Sequence, residues 1–421
     1  MNDTDHLGRP VVVVTGIGVI TSLGQGVEAN WKALTAGVSG IKRITRVPVT
    51  NMKTTIAGTV DFIPVDEISA PALSERMADL VVAEALATAK IGPDGDFPGP
   101  LFLALPPVEM EWPQRMGLAA GPNETVTYAD LLRNAGKPEN ARNYPRFLFG
   151  SVAENLAVRF GTKGSPISTS TACASGGTAI QLGVEAIRRG ESKAALVVGT
   201  DASVNPESLI RFSLLSALST RNDDPAKASR PFSKDRDGFI MSEGAGALVL
   251  ESLTHARARG ATILGVIEGC GEAADGFHRT RSSPDGKPII ACIRNALEDA
   301  GLRAEDIGYI NAHGTSTPEN DKMEWTGVQA VFGERAGAIP ISSNKSMIGH
   351  TLTAAGAIEA IFTLLALQRG VLPPTINYDT PDPAVPVDCV PNVAREAKVA
   401  YAISNSFGFG GQNVCVVVGA A

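Results

Sequence analysis

Aromatic side chains make up only 5% of this chain, histidine occurs five times and cysteine five times. With so few rings, the core must be built from Ala, Val, Ile and Leu and from close backbone contacts, and 44 glycines supply the latter. The cysteines, at 173, 270, 292, 389 and 415, are odd in number, scattered and free of any CxxC pair. That disfavours a disulfide framework and a structural zinc site. Basic charge is also short: the formal net charge of -7 leaves no concentrated Lys/Arg surface for nucleic acid. The polar, acidic start "MNDTDHLGRP" carries no basic, apolar and cleavage-site sequence of a secretory leader, and no apolar run is expected to span a bilayer. A reducing, cytoplasmic setting is the expectation.

What the chain does have is 44% hydrophobic content over 421 residues, ample for a large core and too long for one simple domain. "PVVVVTG", "KAALVVGTDA", "GAGALVLES" and "IGYINAHG" read as buried strands bounded by glycine. Helices are expected in "GVEANWKALTAG", "KPIIACIRNALEDAGL" and the long "GHTLTAAGAIEAIFTLLALQRG". This alternation, seen twice, predicts two α/β halves, 1–255 and 256–421, joined near Ser252 to Thr262. The stretch from about 92 to 144, rich in Pro, Gly and Asn, is expected to form surface loops or a partner-facing excursion.

Four elements carry chemistry. Cys173 in "STSTACASGGTAI" stands where a strand gives way to a helix, so its thiolate is expected to be favoured by unpaired N–H groups and the helix dipole. By itself that stretch fits a structural turn about as well as a nucleophile. His313 follows the strand "YINAHGTSTPEND", and Lys345 and His350 stand five residues apart in "NKSMIGHTLTAAGAIEA". The turn "SNSFGFGGQN" adds Phe407 and Phe409, with exposed N–H groups able to face an oxyanion. A lone histidine is more often structural, but two of only five here occupy strand–loop or loop–helix junctions, where α/β proteins form sites. Zinc ligation lacks a fourth ligand, and a cysteine-protease dyad leaves one histidine and the lysine unused.

Taken in order with "VVVVTGIGVITSLG", "LSTRND" and "RPFSKDRDGFIMSEGAGALVLE", these motifs resemble the elongating β-ketoacyl-[acyl carrier protein] synthases over nearly the whole chain. The resemblance implies a thiolase-type fold of two pseudo-repeated halves, each with a buried five-stranded sheet, in αβαβα layers. It implies decarboxylative condensation of a Cys173-bound acyl chain with malonyl carrier protein, with His313 and His350 stabilising the enolate. It further implies support from Lys345 with Glu359, phosphopantetheine contacts from Thr315 and Thr317, an oxyanion hole from the N–H groups of Cys173 and Phe409, and a gate at Phe407 and Phe409. A homodimer acting on acyl carrier protein, with neither metal nor separate cofactor, is implied too.

The chain departs from that pattern where the acyl pocket is usually lined, reading "PLFLALPPVEMEWPQRMG", and keeps only Arg76 of the usual basic docking run. Docking is then expected to fall to Arg142, Arg146, Arg211 or Arg221, or to a specialised carrier. Smaller departures are Asn320, Asn344, Ser242 and Gln412. They point to a long or modified acyl chain. Routine elongation, a polyketide-like or signal-lipid pathway, and a non-catalytic partner subunit are the alternatives.

Overall fold

A computed structural model describes residues 2–65, 69–92, 95–120 and 125–421. The first part of the chain runs through β1 (Val12–Thr21), α1 (Ala70–Ala89), β2 (Leu101–Ala104), α2 (Trp112–Ala119), α3 (Tyr128–Ala135), α4 (Ser151–Phe160), β3 (Ile167–Thr169), α5 (Ser175–Arg188), β4 (Ala194–Asp201), α6 (Pro206–Leu214) and β5 (Gly244–Ser252). The second part runs through β6 (Gly265–Ala274), α7 (Lys287–Ala300), β7 (Ile307–Asn311), α8 (Pro318–Phe332), β8 (Ile341–Ser342), α9 (Ala355–Arg369), β9 (Tyr401–Phe407) and β10 (Gln412–Gly419).

Five strands from each part line up in the order β3-β2-β4-β5-β1 and β6-β10-β9-β7-β8. Val12–Val14 of β1 pair antiparallel with Gly265–Ile267 of β6, and these few residues fuse both sets into one 11-stranded sheet that also includes the short strand Gly24–Gln25. The expected five-stranded halves are therefore present but hydrogen-bonded edge to edge. The cause lies in "VVV" and "GVI", two apolar edges that leave no unpaired backbone when they zip together.

Helices α5 and α9 pack on each other and on strands of both sets, with α1 and α7 covering the two outer faces. This is the αβαβα layering. Every residue of α9 from Ala355 to Leu367 is buried, as expected of a helix that is apolar all round. By length and composition Leu352–Arg369 would also serve as a membrane span, but 89% of it is buried inside the protein. Its crossing with α5 is made backbone to backbone: a Cβ on Gly176 would meet Ala357 N at 2.4 Å, and one on Gly356 would meet Gly177 N at 2.4 Å. That contact brings the start of α5 against the start of α9, where the sequence places its candidate nucleophile and its lysine and second histidine.

The loops expected over 92–144 are only partly loops. Leu101–Ala104 is a fully buried parallel strand between β4 and β3. Its proline-rich flanks conceal it, because a strand buried on both faces shows no alternation of polar and apolar residues. Beyond it, α2 and α3 expose Trp112, Met116, Tyr128 and Leu132.

Candidate active site

Cys173 follows Ala172, whose φ of 50° is unusual for a residue with a Cβ. The kink lifts Cys173 out of line with α5, two residues before the helix begins, and presents its sulfur to a cavity of about 590 Å³. His350 Nε2 lies 3.0 Å from Cys173 Sγ. The His313 ring stands edge-on to His350, with centroids 5.3 Å apart, and Phe407 backs His313 at 5.8 Å. Four residues remote in sequence thus meet at one cavity, because β7, β9 and the segment before α9 all end at the same rim of the sheet.

Each histidine is held from behind. The His350 N–H donates to Ile240 O at 2.7 Å, its carbonyl accepts the Ser242 N–H at 2.9 Å, and Phe239 packs edge-on against its ring. Glu324, wholly buried on α8, accepts the N–H groups of His313 at 2.8 Å and Gly314 at 2.7 Å. Asn405 on β9 donates to the same carboxylate at 3.1 Å. Sequence reasoning missed Glu324, Asn405 and Phe239. The one available signal for the first was a carboxylate between the large apolar residues Met323 and Trp325, a position that cannot be solvated cheaply.

Lys345 and Glu359, each 1% exposed, form a buried ion pair through Nζ and Oε1. Burial pushes the Glu359 carboxyl up to about 7 against the pull of that ammonium. Burial likewise raises Glu324 to about 7, in spite of the N–H groups it accepts. Both imidazoles are held well below their ordinary value, first by burial and then by the nearby Lys345 charge. They are therefore neutral donors rather than imidazolium ions.

The Cys173 sulfur is enclosed although the residue as a whole is half-buried. Burial pushes its thiol up to about 11, while the Phe409 N–H, the Lys345 charge and the Cys173 N–H itself favour the thiolate without prevailing. The expected resting thiolate is thus corrected: the site rests as a thiol, and charge must develop during the reaction. Those same two N–H groups are the ones the resemblance assigns to the oxyanion hole.

The Phe409 N–H comes from a turn that only glycine can make. Gly410 and Gly411 have φ of 95° and 89°, and a Cβ on Gly411 would stand 1.9 Å from Asp275 O. A Cβ on Gly408 would stand 2.9 Å from Thr171 O and 3.3 Å from Cys173 N, so the turn lies directly on the nucleophile's backbone. Phe407 and Phe409 both line the cavity, Phe409 half-buried and Phe407 only 6% exposed. Thr315 and Thr317 line the cavity further out, their hydroxyls 3.0 Å apart.

Among the departures, the Asn320 N–H donates to Oγ1 of Thr317, the residue that caps α8, Ser242 Oγ donates to Gly58 O, and Gln412 O accepts the Gly408 N–H. Asn344 Oδ1 accepts from Asn311 Nδ2 at 2.8 Å.

Cys173 Sγ and one nitrogen of each ring lie within 4.8 Å of one another. The Lys345 charge beside both rings opposes a divalent ion there. Asn311 Oδ1, Glu359 Oε2 and Asn405 Oδ1 are buried without a hydrogen-bond partner.

Twin sheets about a crossed pair of helices, with Cys, His and His converging above the crossing, define a thiolase-like condensing enzyme. Residues 9–256 match the N-terminal domain of β-ketoacyl synthases and residues 264–379 the C-terminal domain. The chain belongs to the β-ketoacyl synthase family, and is an acyltransferase of that class. It is 38% identical to 3-oxoacyl-[acyl-carrier-protein] synthase 2 of Coxiella burnetii, covering 97% of this chain and 98% of that one. It is 39% identical to the protein of the same name from Vibrio cholerae, covering 96% and 97%. Among solved structures it is similar to a β-ketoacyl synthase from Burkholderia phymatum, at 33% identity, a TM-score of 0.83 and coverage of 98% and 100%. A type II polyketide ketosynthase in complex with its acyl carrier protein gives 33%, 0.88 and the same coverage.

Proposed function

We propose that this chain elongates fatty acyl groups by decarboxylative condensation with malonyl-[acyl carrier protein], giving 3-oxoacyl-[acyl carrier protein] and carbon dioxide. The observation that carries this reading is the Cys173–His350 contact of 3.0 Å with His313 beside it. Sulfur attacks the acyl thioester, the carrier thiol leaves with the proton, and the N–H groups of Phe409 and Cys173 hold the developing oxyanion. Malonyl thioester then takes the carrier's place. Its carbonyl oxygen accepts hydrogen bonds from neutral His313 and His350, so loss of carbon dioxide gives a stabilised enolate. The enolate carbon attacks the Cys173 thioester and sulfur departs as the thiolate. The electron pair of the new carbon–carbon bond comes from the broken carboxylate bond, so no redox cofactor is required.

Lys345 with Glu359 supports the site electrostatically, and Thr315 and Thr317 contact the phosphopantetheine arm. The curated relatives, named as 3-oxoacyl synthases, favour fatty-acid elongation over a polyketide pathway. Retention of Cys173 argues against a non-catalytic partner subunit. The proline-rich entry to α2, in place of the family's glycine-rich turn, supports an unusual acyl chain, long or modified.

The outer edge of β3, with Ile167 45% exposed, and the apolar surface of α2 and α3 support a homodimer. Five free thiols are in keeping with a reducing cytoplasm. The test is acylation of Cys173 by acyl carrier proteins of graded chain length, followed by product formation with malonyl carrier protein. Loading of Cys173→Ala to the level of the parent would overturn the mechanism.

A further inference from the structure

Asp201 closes β4 and is wholly buried, yet no step of the condensation uses it. Its Oδ1 accepts the Ser203 N–H at 2.9 Å. Its Oδ2 accepts the Thr353 N–H at 3.1 Å and stands 2.7 Å from Thr353 Oγ1. Thr353 belongs to a single 3-10 turn, Leu352–Ala354, that joins His350 to α9. Gly199, on the same face of β4 as Asp201, lets that turn lie on the strand. A Cβ there would meet Ala357 Cβ at 2.9 Å and Ala354 Cα at 3.3 Å.

The turn is strained. Leu352, which lines the main cavity, has φ of 47°, a conformation that a leucine holds only where its surroundings impose it. Two fastenings do so. Upstream, the His350 backbone is bonded to Ile240 and Ser242, and downstream Thr353 is bonded to Asp201. Between them the Thr351 hydroxyl, buried without a partner, contributes no third.

The hydrogens at this clamp decide its charge. The Thr353 hydroxyl has one to give and faces two acceptors, Asp201 Oδ2 at 2.7 Å and Thr200 O at 3.0 Å. An ionised carboxylate leaves one of these contacts without a hydrogen. A protonated one donates to Thr353 Oγ1, which passes its own hydrogen to Thr200 O, and both contacts are made. Burial pushes the Asp201 carboxyl above its ordinary range in the same sense, against its hydrogen bonds from Ser203 and Thr353. Neutrality matters because an ionised Asp201 is close enough to disfavour the Cys173 thiolate.

We propose that Asp201 is a positioning residue which, as a neutral acid, clamps the strained turn and so fixes His350 against Cys173 without placing a negative charge beside the sulfur. The inference rests on the condensing activity proposed above.

The experiment measures decarboxylation of malonyl carrier protein, alkylation of Cys173 and infrared spectra. In D201A, kcat for decarboxylation falls about 100-fold with KM little moved. D201N, whose amide donates to Thr353 Oγ1 as the neutral acid does, recovers about tenfold or more of that loss. T353V lowers the same kcat and T353S, which keeps the hydroxyl, restores it, so this pair reads the clamp should D201A fail to fold. At pH 7 iodoacetamide alkylates Cys173 in D201N at the parent's rate, since no charge has been removed. A protonated-carboxyl stretch appears in the parent-minus-D201N infrared difference spectrum. The proposal is overturned by a D201N no better than D201A, by a T353S no better than T353V, or by faster alkylation of D201N with the stretch absent. A parent that does not decarboxylate malonyl thioesters would strike the proposed function instead, and the alkylation rate and infrared band would still decide the neutral clamp.

Discussion

Glu324 Oε1 lies 2.8 Å from the backbone nitrogen of His313, so a helix carboxylate, and no group on the histidine's own strand, sets where that imidazole begins. Its second oxygen takes the Gly314 N–H and Asn405 ties it to β9. Glu324→Ala would strip three donors of their acceptor inside a sealed site. Decarboxylation of malonyl carrier protein is expected to fall by about 100-fold or more, with acyl loading of Cys173 less affected. Glu324→Gln keeps one acceptor oxygen and should recover part of the rate. Equal losses in both half-reactions would mean that the carboxylate acts on the whole fold and not on the His313 loop.

The buried pair of Lys345 and Glu359 predicts an asymmetry. Removing one partner, as in Glu359→Leu, leaves an uncompensated charge and is expected to cost about 3–5 kcal/mol in denaturant unfolding. The double change Lys345→Met with Glu359→Leu should cost less than either single change while still impairing turnover. Additive losses would show that the two side chains do not depend on each other.

Cys173 resting as a thiol near 11 predicts slow chemical trapping. Between pH 7 and 9 the rate of iodoacetamide alkylation should climb about tenfold per unit, without a plateau. A plateau below pH 8 would mean that the N–H groups of Phe409 and Cys173 and the Lys345 charge overcome burial in solution.

The glycine turn separates two kinds of damage. Gly408→Ala presses a methyl group onto Thr171 O at 2.9 Å and displaces the turn that carries the Phe409 N–H. Loss of that one donor is expected to lower acylation by about 100- to 1,000-fold at little cost in Tm. Gly411→Ala meets Asp275 O at 1.9 Å in a backbone conformation with φ of 89°, so its first effect is on folding, read as a lowered Tm. The opposite ranking would place the oxyanion donor elsewhere.

Cys173, His313, Lys345, His350 and the phenylalanine turn were legible because they stand at junctions, where small neighbours and punctuating glycines mark them out against strand and helix patterns. Their buried supports were not. Glu324 and Asn405 belong to regular elements, and nothing local distinguishes a carboxylate that caps a distant loop from one that faces water. The fusion of both sheets through Val12–Val14 and Gly265–Ile267 was hidden for a similar reason, since apolar edges look alike whether they meet each other or a helix. Strand β2 disappeared among prolines that belong to its flanks.

Acid should reveal the neutral histidines. His313 and His350 have folded-state pKa values below the unfolded value of about 6.5, so below that pH the unfolded chain binds more protons and stability declines as pH falls. Glu324 and Glu359 act with the opposite sign. Raised to about 7, they bind protons in the native state before the unfolded chain does, so between about 7 and 4.5 they add stability as pH falls. Replacing both histidines by asparagine removes the first contribution and leaves the second. Denaturant midpoints for that variant should hold or rise from pH 7 to 5, while the parent's shows a smaller gain or a decline over the same interval. Identical pH profiles for the two proteins would mean that the imidazoles take up protons in the folded state, and that the enolate is met by charged rings instead of neutral ones.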